Sequence, residues 1–260
     1  MNFLKTIVAK KRREVELAMK ATPLEEMRKA AANRRDYRSF SGALISPPDD
    51  RVNIIAEIKR ASPSKGMIRK DADAAEYAKI YEKGGAAAIS VLTDTEFFSG
   101  SMVDVKAAKN AQGLPVLRKD FIFSEYQVYE SAVIGADAIL LIVKILEEKA
   151  LGRLMALAAE LGMDALVEVH AGIELNSAAN AGAKLIGINN RNLDSFDTDV
   201  GRASSMAARL GENMIPVAAS GITSRKDIES GLKAGIRNFL VGESIMRAKD
   251  SERFLRELIG

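Results

Sequence analysis

The strongest constraint on the fold is a series of eight short apolar segments with helical periodicity between them. Most are apolar at every position rather than at alternate positions, which is typical of parallel strands buried on both faces. Strands are predicted at 53–59, 87–92, 115–119, 138–142, 165–169, 185–189, 216–219 and 238–241. Helices are predicted between and after them, for example at 73–83, 147–161, 225–234 and 251–258. This order predicts an α/β fold, a (β/α)8 TIM barrel.

A doubly wound open sheet is the competing architecture, but no Gly-x-Gly-x-x-Gly turn follows the first strand. Glycines precede each even-numbered strand, at Gly85, Gly135, Gly182 and Gly235, about 50 residues apart. Each is predicted to end a helix with positive φ. Ordinary turns would explain each glycine alone, whereas their regular spacing favours a closed, repetitive sheet.

Residues 1–48 precede the first predicted strand and carry amphipathic helical patterns at 4–19 and 23–32. The patterns end at Ser46-Pro47-Pro48. In a barrel, such an extension must lie over one end or one flank. No linker separates it, so we expect one domain over 1–260, with 1–48 as its N-terminal helical extension.

Composition limits the chemistry. The chain has no cysteine and one histidine, His170, which excludes disulfides, thiolate nucleophiles, Cys-ligated zinc and His-based metal clusters. A net charge of +3 without a long basic run argues against nucleic acid and suits a small anionic substrate. No signal peptide or membrane-length apolar run occurs, so no membrane partner and a cytoplasmic location are expected.

Polar residues recur at predicted strand ends, where barrel active sites lie. Glu57 and Lys59 share one face of the first strand, Lys119 ends the third, and Glu168 interrupts the apolar fifth. If that face points inward, these groups form an acid–base site, in which burial and nearby cations would lower the pKa of Lys119. Solvated strand ends are the alternative.

Two further strand ends carry polar groups. Asn189 and Arg191 share a face of the sixth strand and can donate to an anionic or carbonyl oxygen, and Leu193 could cap an apolar pocket. His170 shares the face of Glu168 one step beyond the fifth strand. We interpret His170 as a loop-structuring residue rather than a general base.

Small residues follow the seventh and eighth strands, in Ser220-Gly221 and Gly242-Glu243-Ser244. Both turns open into helices, and the loops after these strands form the common phosphate site of barrels. Their joint position favours a phosphate site over two ordinary turns.

The mouth also receives a polar loop and two aromatic residues. The loop beginning at Ser62 follows the first strand and could fold over a ligand. Phe98 and Phe121 follow the second and third strands. Loop packing is the alternative role for both rings.

Together the motifs resemble the indole-3-glycerol-phosphate synthase family of tryptophan biosynthesis over essentially the whole chain. They are IAEIKRASPS at 55–64, LRKDF at 117–121, VEVH at 167–170, GINNRNL at 187–193 and ASGI at 219–222. The resemblance implies conversion of 1-(2-carboxyphenylamino)-1-deoxyribulose 5-phosphate to indole-3-glycerol phosphate, CO₂ and water, without a cofactor. The product would feed tryptophan synthase, although contact with that enzyme is not inferable from the residues.

The resemblance also implies residue roles. Lys119 would protonate the substrate carbonyl oxygen during ring closure. Lys59 would hold the substrate carboxylate and donate a proton at dehydration, although residue types leave the division of labour between the lysines open. Glu168 would stabilise the cationic ring nitrogen and take the final proton. The other implied roles are Glu57 for positioning the lysines, Asn189 and Arg191 for orienting the site, Leu193 and Ser220 for substrate, Ser62, Gly221, Gly242 and Ser244 for phosphate, and Phe98 and Phe121 for the anthranilate ring.

Glu243 departs from the small residue that some relatives carry. A carboxylate would repel phosphate, so we expect its side chain to point away and only its backbone to serve.

Two other functions fit the sequence less well. Another phosphosugar barrel, such as phosphoribosylanthranilate isomerase, is disfavoured because its chemistry uses a Cys/Asp pair. A non-catalytic phosphometabolite-binding barrel would not need Lys59, Lys119 and Glu168 together.

Overall fold

The computed structural model describes residues 3–45, 51–192 and 197–260, so the predicted Ser46-Pro47-Pro48 stop lies outside these ranges. Eight parallel strands close into a barrel in chain order, and the first pairs with the last. They are β1 Asn53–Ile58, β2 Ala88–Leu92, β3 Val116–Lys119, β4 Ala138–Ile142, β5 Asp164–Val169, β6 Leu185–Asn189, β7 Ile215–Ala219 and β8 Asn238–Val241. The predicted TIM barrel is confirmed, with each strand boundary within one residue of its predicted position.

Helices surround the barrel wall and cover its carboxyl end. They are α1 Phe3–Ala21, α2 Leu24–Ala32, α3 Ala74–Lys83, α4 Thr95–Phe98, α5 Met102–Ala111, α6 Glu125–Val133, α7 Glu148–Glu160, α8 Gly172–Asn180, α9 Gly201–Ala207, α10 Arg225–Lys233, α11 Glu243–Arg247 and α12 Ser251–Ile259. The sequence did not predict α4 or the short hairpin of Ala61–Ser62 with Gly66–Met67. None of the helices in the described ranges is long and apolar enough to span a membrane.

Alternate residues of each strand face opposite sides, which produces two apolar layers. In β1, Ile54 and Ala56 join the layer between strands and helices. Ile55 joins the layer inside the barrel. Because the inner face is mostly apolar along the strands, charged residues on that face near the strand ends are exceptions.

The glycines before the even-numbered strands have the predicted backbone conformation. Gly85, Gly135, Gly182 and Gly235 have φ of +88°, +93°, +80° and +81°. Only glycine adopts this left-handed region without strain, so each ends its helix sharply and returns the chain to the barrel.

The first helix of the extension covers the carboxyl ends of the strands. Phe3, Leu4 and Ile7 line the cavity there. Lys11 anchors the helix, because its Nζ lies 3.1 Å from Oδ1 of Asp120, the residue after β3. The helix thus forms part of the wall at one barrel end.

The same extension closes the opposite end. Phe40 and Leu44 are buried in the apolar layer inside the barrel. The backbone N–H of Ser41 donates to Oδ2 of Asp164, at the start of β5, over 2.8 Å. The extension therefore lies over both ends of the barrel, whereas the sequence predicted one end or one flank.

A buried carboxylate joins this segment to the barrel wall. Asp137 is fully buried and accepts from Lys109 Nζ at 2.5 and 2.7 Å and from Arg34 at 2.9 Å. It also accepts from the backbone N–H groups of Arg38 and Val116. A charge this well paired is tolerated inside the protein, but its removal leaves several buried donors unmatched.

We therefore expect Asp137→Ala to lower the free energy of unfolding by about 3–5 kcal/mol. Asp137→Asn should lose less, because its amide oxygen still accepts. Asp36→Ala is the matched control, since Asp36 pairs with the same arginine but its side chain is 64% exposed; its effect should be under about 0.5 kcal/mol. Urea unfolding would measure the free energy of unfolding of all three variants. Similar losses for Asp137→Ala and Asp36→Ala would refute the stabilising role of the buried Asp137 carboxylate.

Candidate active site

A cavity of about 800 Å³ opens at the carboxyl ends of the strands. Each of the eight strands contributes a lining residue. The predicted site residues that line it are Glu57, Lys59, Ser62, Phe98, Lys119, Phe121, Glu168, Asn189, Arg191, Ser220, Gly221, Gly242 and Ser244. Leu193 lies outside the described residues.

Two lysine–carboxylate pairs occupy the floor of this cavity. Lys59 Nζ lies 2.8 Å from Glu57 Oε1, and Lys119 Nζ lies 3.6 Å from Glu168 Oε2. Both carboxylates are buried and both lysines are half-buried. The sequence predicted a lowered pKa for Lys119, and this direction is wrong. Burial alone would lower the pKa of its ammonium group, but the charges of Glu168 and Glu57 outweigh this and raise it.

Glu168 is held in its ionised form. Burial would raise the pKa of this carboxyl, but the charge of Lys119, the His170 ring and the Asn189 amide lower it to about 2. Asn189 Nδ2 donates to Glu168 Oε1 over 3.1 Å, while its Oδ1 accepts from the backbone N–H of Arg191 over 3.0 Å. The sixth strand thus orients the acid of the fifth.

His170 contacts the loop and the site at once. Its backbone N–H donates to Glu174 Oε2 over 2.6 Å, which fits the predicted loop-structuring role. Its ring also approaches the site, with Nε2 lying 3.2 Å from Glu168 Oε1. The sequence interpretation did not include this second contact.

Backbone conformation and close packing require the small residues after β7 and β8. Ser220 and Gly221 have φ of +70° and +80°, in the left-handed region. A Cβ on Gly221 would lie 2.5 Å from the Thr198 Cγ2 atom. A Cβ on Gly242 would lie 2.5 Å from Glu57 Oε1. Gly242 therefore makes room for a site carboxylate.

Hydroxyl groups lie along the same side of the cavity. The Oγ atom of Ser62 is buried without a hydrogen-bond partner among the described residues. Ser244 donates from its hydroxyl to the carbonyl oxygen of Ile222 over 2.8 Å, so its oxygen is left as an acceptor. A buried unpaired hydroxyl is costly unless a ligand or water completes it.

Glu243 does not point away as expected, because its carboxylate lies at the cavity between two arginines. Its Oε2 is 3.7 Å from the NH2 nitrogen of Arg191, and its Oε1 accepts from Arg247 Nε over 3.2 Å. Arg191 also donates to the Ser64 hydroxyl. Pairing with these cations accounts for a carboxylate at this position.

An apolar wall faces the charged floor. Phe98 and Phe121 lie with ring centroids 6.2 Å apart and planes tilted by 38°. Phe3, Leu4 and Ile7 of α1 extend this wall. Sequence reasoning missed these three, because helical periodicity identifies an apolar face but not the surface it covers.

Fold and site together define a (β/α)8-barrel enzyme with paired acid–base groups at the carboxyl ends of its strands. Among the residues with described positions, no group of three or more His, Cys, Asp or Glu side chains is arranged to hold a metal ion.

The family is shown by sequence comparison. The family model described as indole-3-glycerol phosphate synthase matches residues 4–258. A protein of that name from Desulfosudis oleivorans is 51% identical over 99% of this chain and 98% of its own length. Another from Syntrophobacter fumaroxidans is 46% identical over 100% of this chain and 98% of its own length. The chain belongs to the indole-3-glycerol phosphate synthase family of ring-closing, decarboxylating lyases, as its motifs predicted.

More distant solved structures share the fold. A 3-hexulose-6-phosphate synthase covers 79% of this chain and 97% of its own at 15% identity, with a TM-score of 0.61. A thiamine phosphate pyrophosphorylase from Pyrococcus furiosus covers 80% and 93% at 16% identity, with a TM-score of 0.59. At these identities the likeness supports the barrel fold alone.

We expect Gly242→Ala to lower kcat/KM by about 100-fold, because the new methyl group would displace Glu57 and with it Lys59. Gly152→Ala is the matched control, since no atom lies near its added methyl group in α7. It should leave kcat/KM unchanged. Steady-state kinetics would test both, and an unimpaired Gly242→Ala enzyme would show that this contact does not set the position of Glu57.

Proposed function

We propose that this cavity converts 1-(2-carboxyphenylamino)-1-deoxyribulose 5-phosphate to indole-3-glycerol phosphate without a cofactor. The observation that carries the proposal is the presence of two lysine–carboxylate pairs, Lys59–Glu57 and Lys119–Glu168, in one cavity. Ring closure needs a proton donor for the carbonyl oxygen, and dehydration needs one for the departing hydroxyl. A carboxylate is also needed beside the positive charge that forms on the ring nitrogen.

Ring closure is the first step. The ring carbon that bears the carboxylate attacks the substrate carbonyl carbon, and Lys119 gives a proton to the carbonyl oxygen as it becomes a hydroxyl. The raised pKa of Lys119 keeps this donor charged at neutral pH. The positive charge that develops on the ring nitrogen is stabilised by Glu168, which is ionised at the same pH.

Loss of CO₂ and then water completes the reaction. The electrons of the broken carbon–carboxylate bond restore the aromatic ring. Lys59, after holding the carboxylate, protonates the departing hydroxyl, and Glu168 takes the final carbon-bound proton. Glu57 lies 2.8 Å from Lys59 and keeps its ammonium group over the cavity.

The remaining residues hold the two ends of the substrate. The residues proposed to bind phosphate are Ser62, Gly221, Gly242 and Ser244. The hydroxyl of Ser62 supports this role because it is buried and has no hydrogen-bond partner within the described part of the chain. At the other end, Phe98 and Phe121 are proposed to flank the anthranilate ring. Three further residues that line the cavity are proposed to orient the substrate, namely Asn189, Arg191 and Ser220. Leu193 is proposed to cap the apolar part.

The proposed partner and cellular location follow from the proposed substrate and from the small net charge of +3. The partner is a small phosphorylated molecule rather than nucleic acid or a membrane, and the reaction takes place in the cytoplasm. The barrel and its extension act as one domain, because α1 supplies part of the cavity wall.

The first test is indole fluorescence on adding the carboxyphenylamino-deoxyribulose phosphate. Lys119→Ala should lower kcat by at least about 100-fold, because it removes the acid for ring closure, while substrate still binds. Lys79→Ala is the control, since Lys79 is exposed on α3 and should keep wild-type activity. No product from the wild-type enzyme would refute the proposed reaction, and an unchanged kcat for Lys119→Ala would remove Lys119 from its role.

A second test separates the lysines. If Lys59 protonates the departing hydroxyl, Lys59→Ala should accumulate the cyclised, decarboxylated and still hydroxylated compound. Quenched single-turnover mixtures examined by mass spectrometry would contain a species heavier than the product by one water. Accumulation of that species in Lys119→Ala instead would reverse the two roles.

A further inference from the structure

Glu168 uses its two oxygens differently. Oε2 faces Lys119 across 3.6 Å. Two other residues contact Oε1, with Asn189 Nδ2 at 3.1 Å and His170 Nε2 at 3.2 Å. One oxygen is therefore anchored while the other is presented to the cavity. Asn189 supplies a neutral donor, so His170 is the only one of the two anchors that can supply charge.

We propose that His170 is a positioning residue, whose charged ring holds Glu168 anionic and aimed into the cavity while Glu174 fixes the ring from the far side. The inference deepens the proposed function, because it rests on Glu168 acting there as a carboxylate. It also changes the interpretation of His170, which would structure the loop through its backbone and the site through its ring.

The surroundings of the ring favour its charged form. His170 has a side chain that is only 7% exposed, and both ring nitrogens lack a well-aligned hydrogen bond among the described residues. Each nevertheless faces a carboxylate, since Nε2 lies 3.2 Å from Glu168 and Nδ1 lies 3.8 Å from Glu174 Oε2. A neutral imidazole presents an N–H group to only one of these carboxylates, whereas an imidazolium presents a positively charged N–H group to both.

Electrostatics agree with this geometry. Burial would lower the pKa of His170, but Glu168 and Glu174 outweigh it and raise the pKa to about 9. The same contacts lower the pKa of the Glu174 carboxyl against its own burial. Other cations lie near β5 and α8, the elements on either side of His170. Lys119 faces Glu168, Lys144 lies on the 3-10 turn packed against α8, and Arg209 lies beside the start of α8.

The protonation state of the ring can be measured directly, because His170 is the sole histidine of the chain and gives one set of imidazole signals. NMR titration of the wild-type protein should find a pKa near 9. Glu168→Gln and Glu174→Gln should each lower it by at least about one unit, since each removes an adjacent charge. Asn176→Ala, at an exposed position of α8, should leave it unchanged. A wild-type value at or below about 6.5, the ordinary histidine value, would overturn the proposal.

Stability gives a second readout. The folded-state pKa of His170 lies above its unfolded value. The charged ring therefore makes its full contribution to the free energy of unfolding below about pH 6.5 and loses it as the pH rises through about 9. The urea midpoint of the wild-type protein should fall across this window, and the fall should be smaller in His170→Asn. Equal falls in both proteins would contradict a charged ring at neutral pH.

Kinetics test the consequence for Glu168. His170→Leu should lower kcat by about 10-fold or more with little change in KM, because it removes a charged hydrogen-bond donor from a group acting in the chemical step. His170→Asn, a neutral donor, should recover part of the loss. A wild-type kcat in both variants would overturn the positioning role.

The two proposals fail differently. The NMR titration needs no turnover, so it tests the His170–Glu168 contact even if the substrate is wrong. Absence of indole formation by the wild-type enzyme would refute the reaction alone. Normal turnover together with an unshifted histidine would refute the inference alone.

Discussion

Charges can lie inside this barrel only because each has a partner. The inner face of the strands is mostly apolar, so a lone ammonium or carboxylate there would lose its hydration without compensation. Lys59 is matched by Glu57, and Lys119 by Glu168. The same requirement shapes the rim, where Glu243 lies between Arg191 and Arg247. The site can therefore be understood as a set of ion pairs, in which each charge compensates the burial of its partner.

Much of the fold could be predicted because a barrel repeats one simple rule. Apolar segments predicted the strands. The rule that barrel sites lie at the carboxyl ends of strands, together with alternation along each strand, made Glu57, Lys119 and Glu168 the candidates for the site. The positive φ at Gly85 and Gly135 also followed from the sequence, since a helix that turns sharply into a strand favours glycine at its end. These are local properties of the chain, so a single sequence is enough to find them.

Other features depend on distances that the sequence does not contain. The direction of the pKa shift of Lys119 was wrong because it depends on how close Glu168 lies on another strand. Glu243 was misplaced for the same reason, since its partner Arg191 lies in a different loop. The apolar face of α1 was predicted, but the barrel end that it covers is decided by contacts such as Lys11 with Asp120.

The position of the extension has a consequence for the order of assembly. The extension is synthesised before the strands that it covers, and its backbone N–H at Ser41 can bond to Asp164 only after a further 123 residues of the chain have been made. Such distant contacts are costly in chain entropy before they form and slow the search for the native state. Since α1 supplies part of the wall of the cavity, the pocket is complete only when this helix has docked onto the folded barrel.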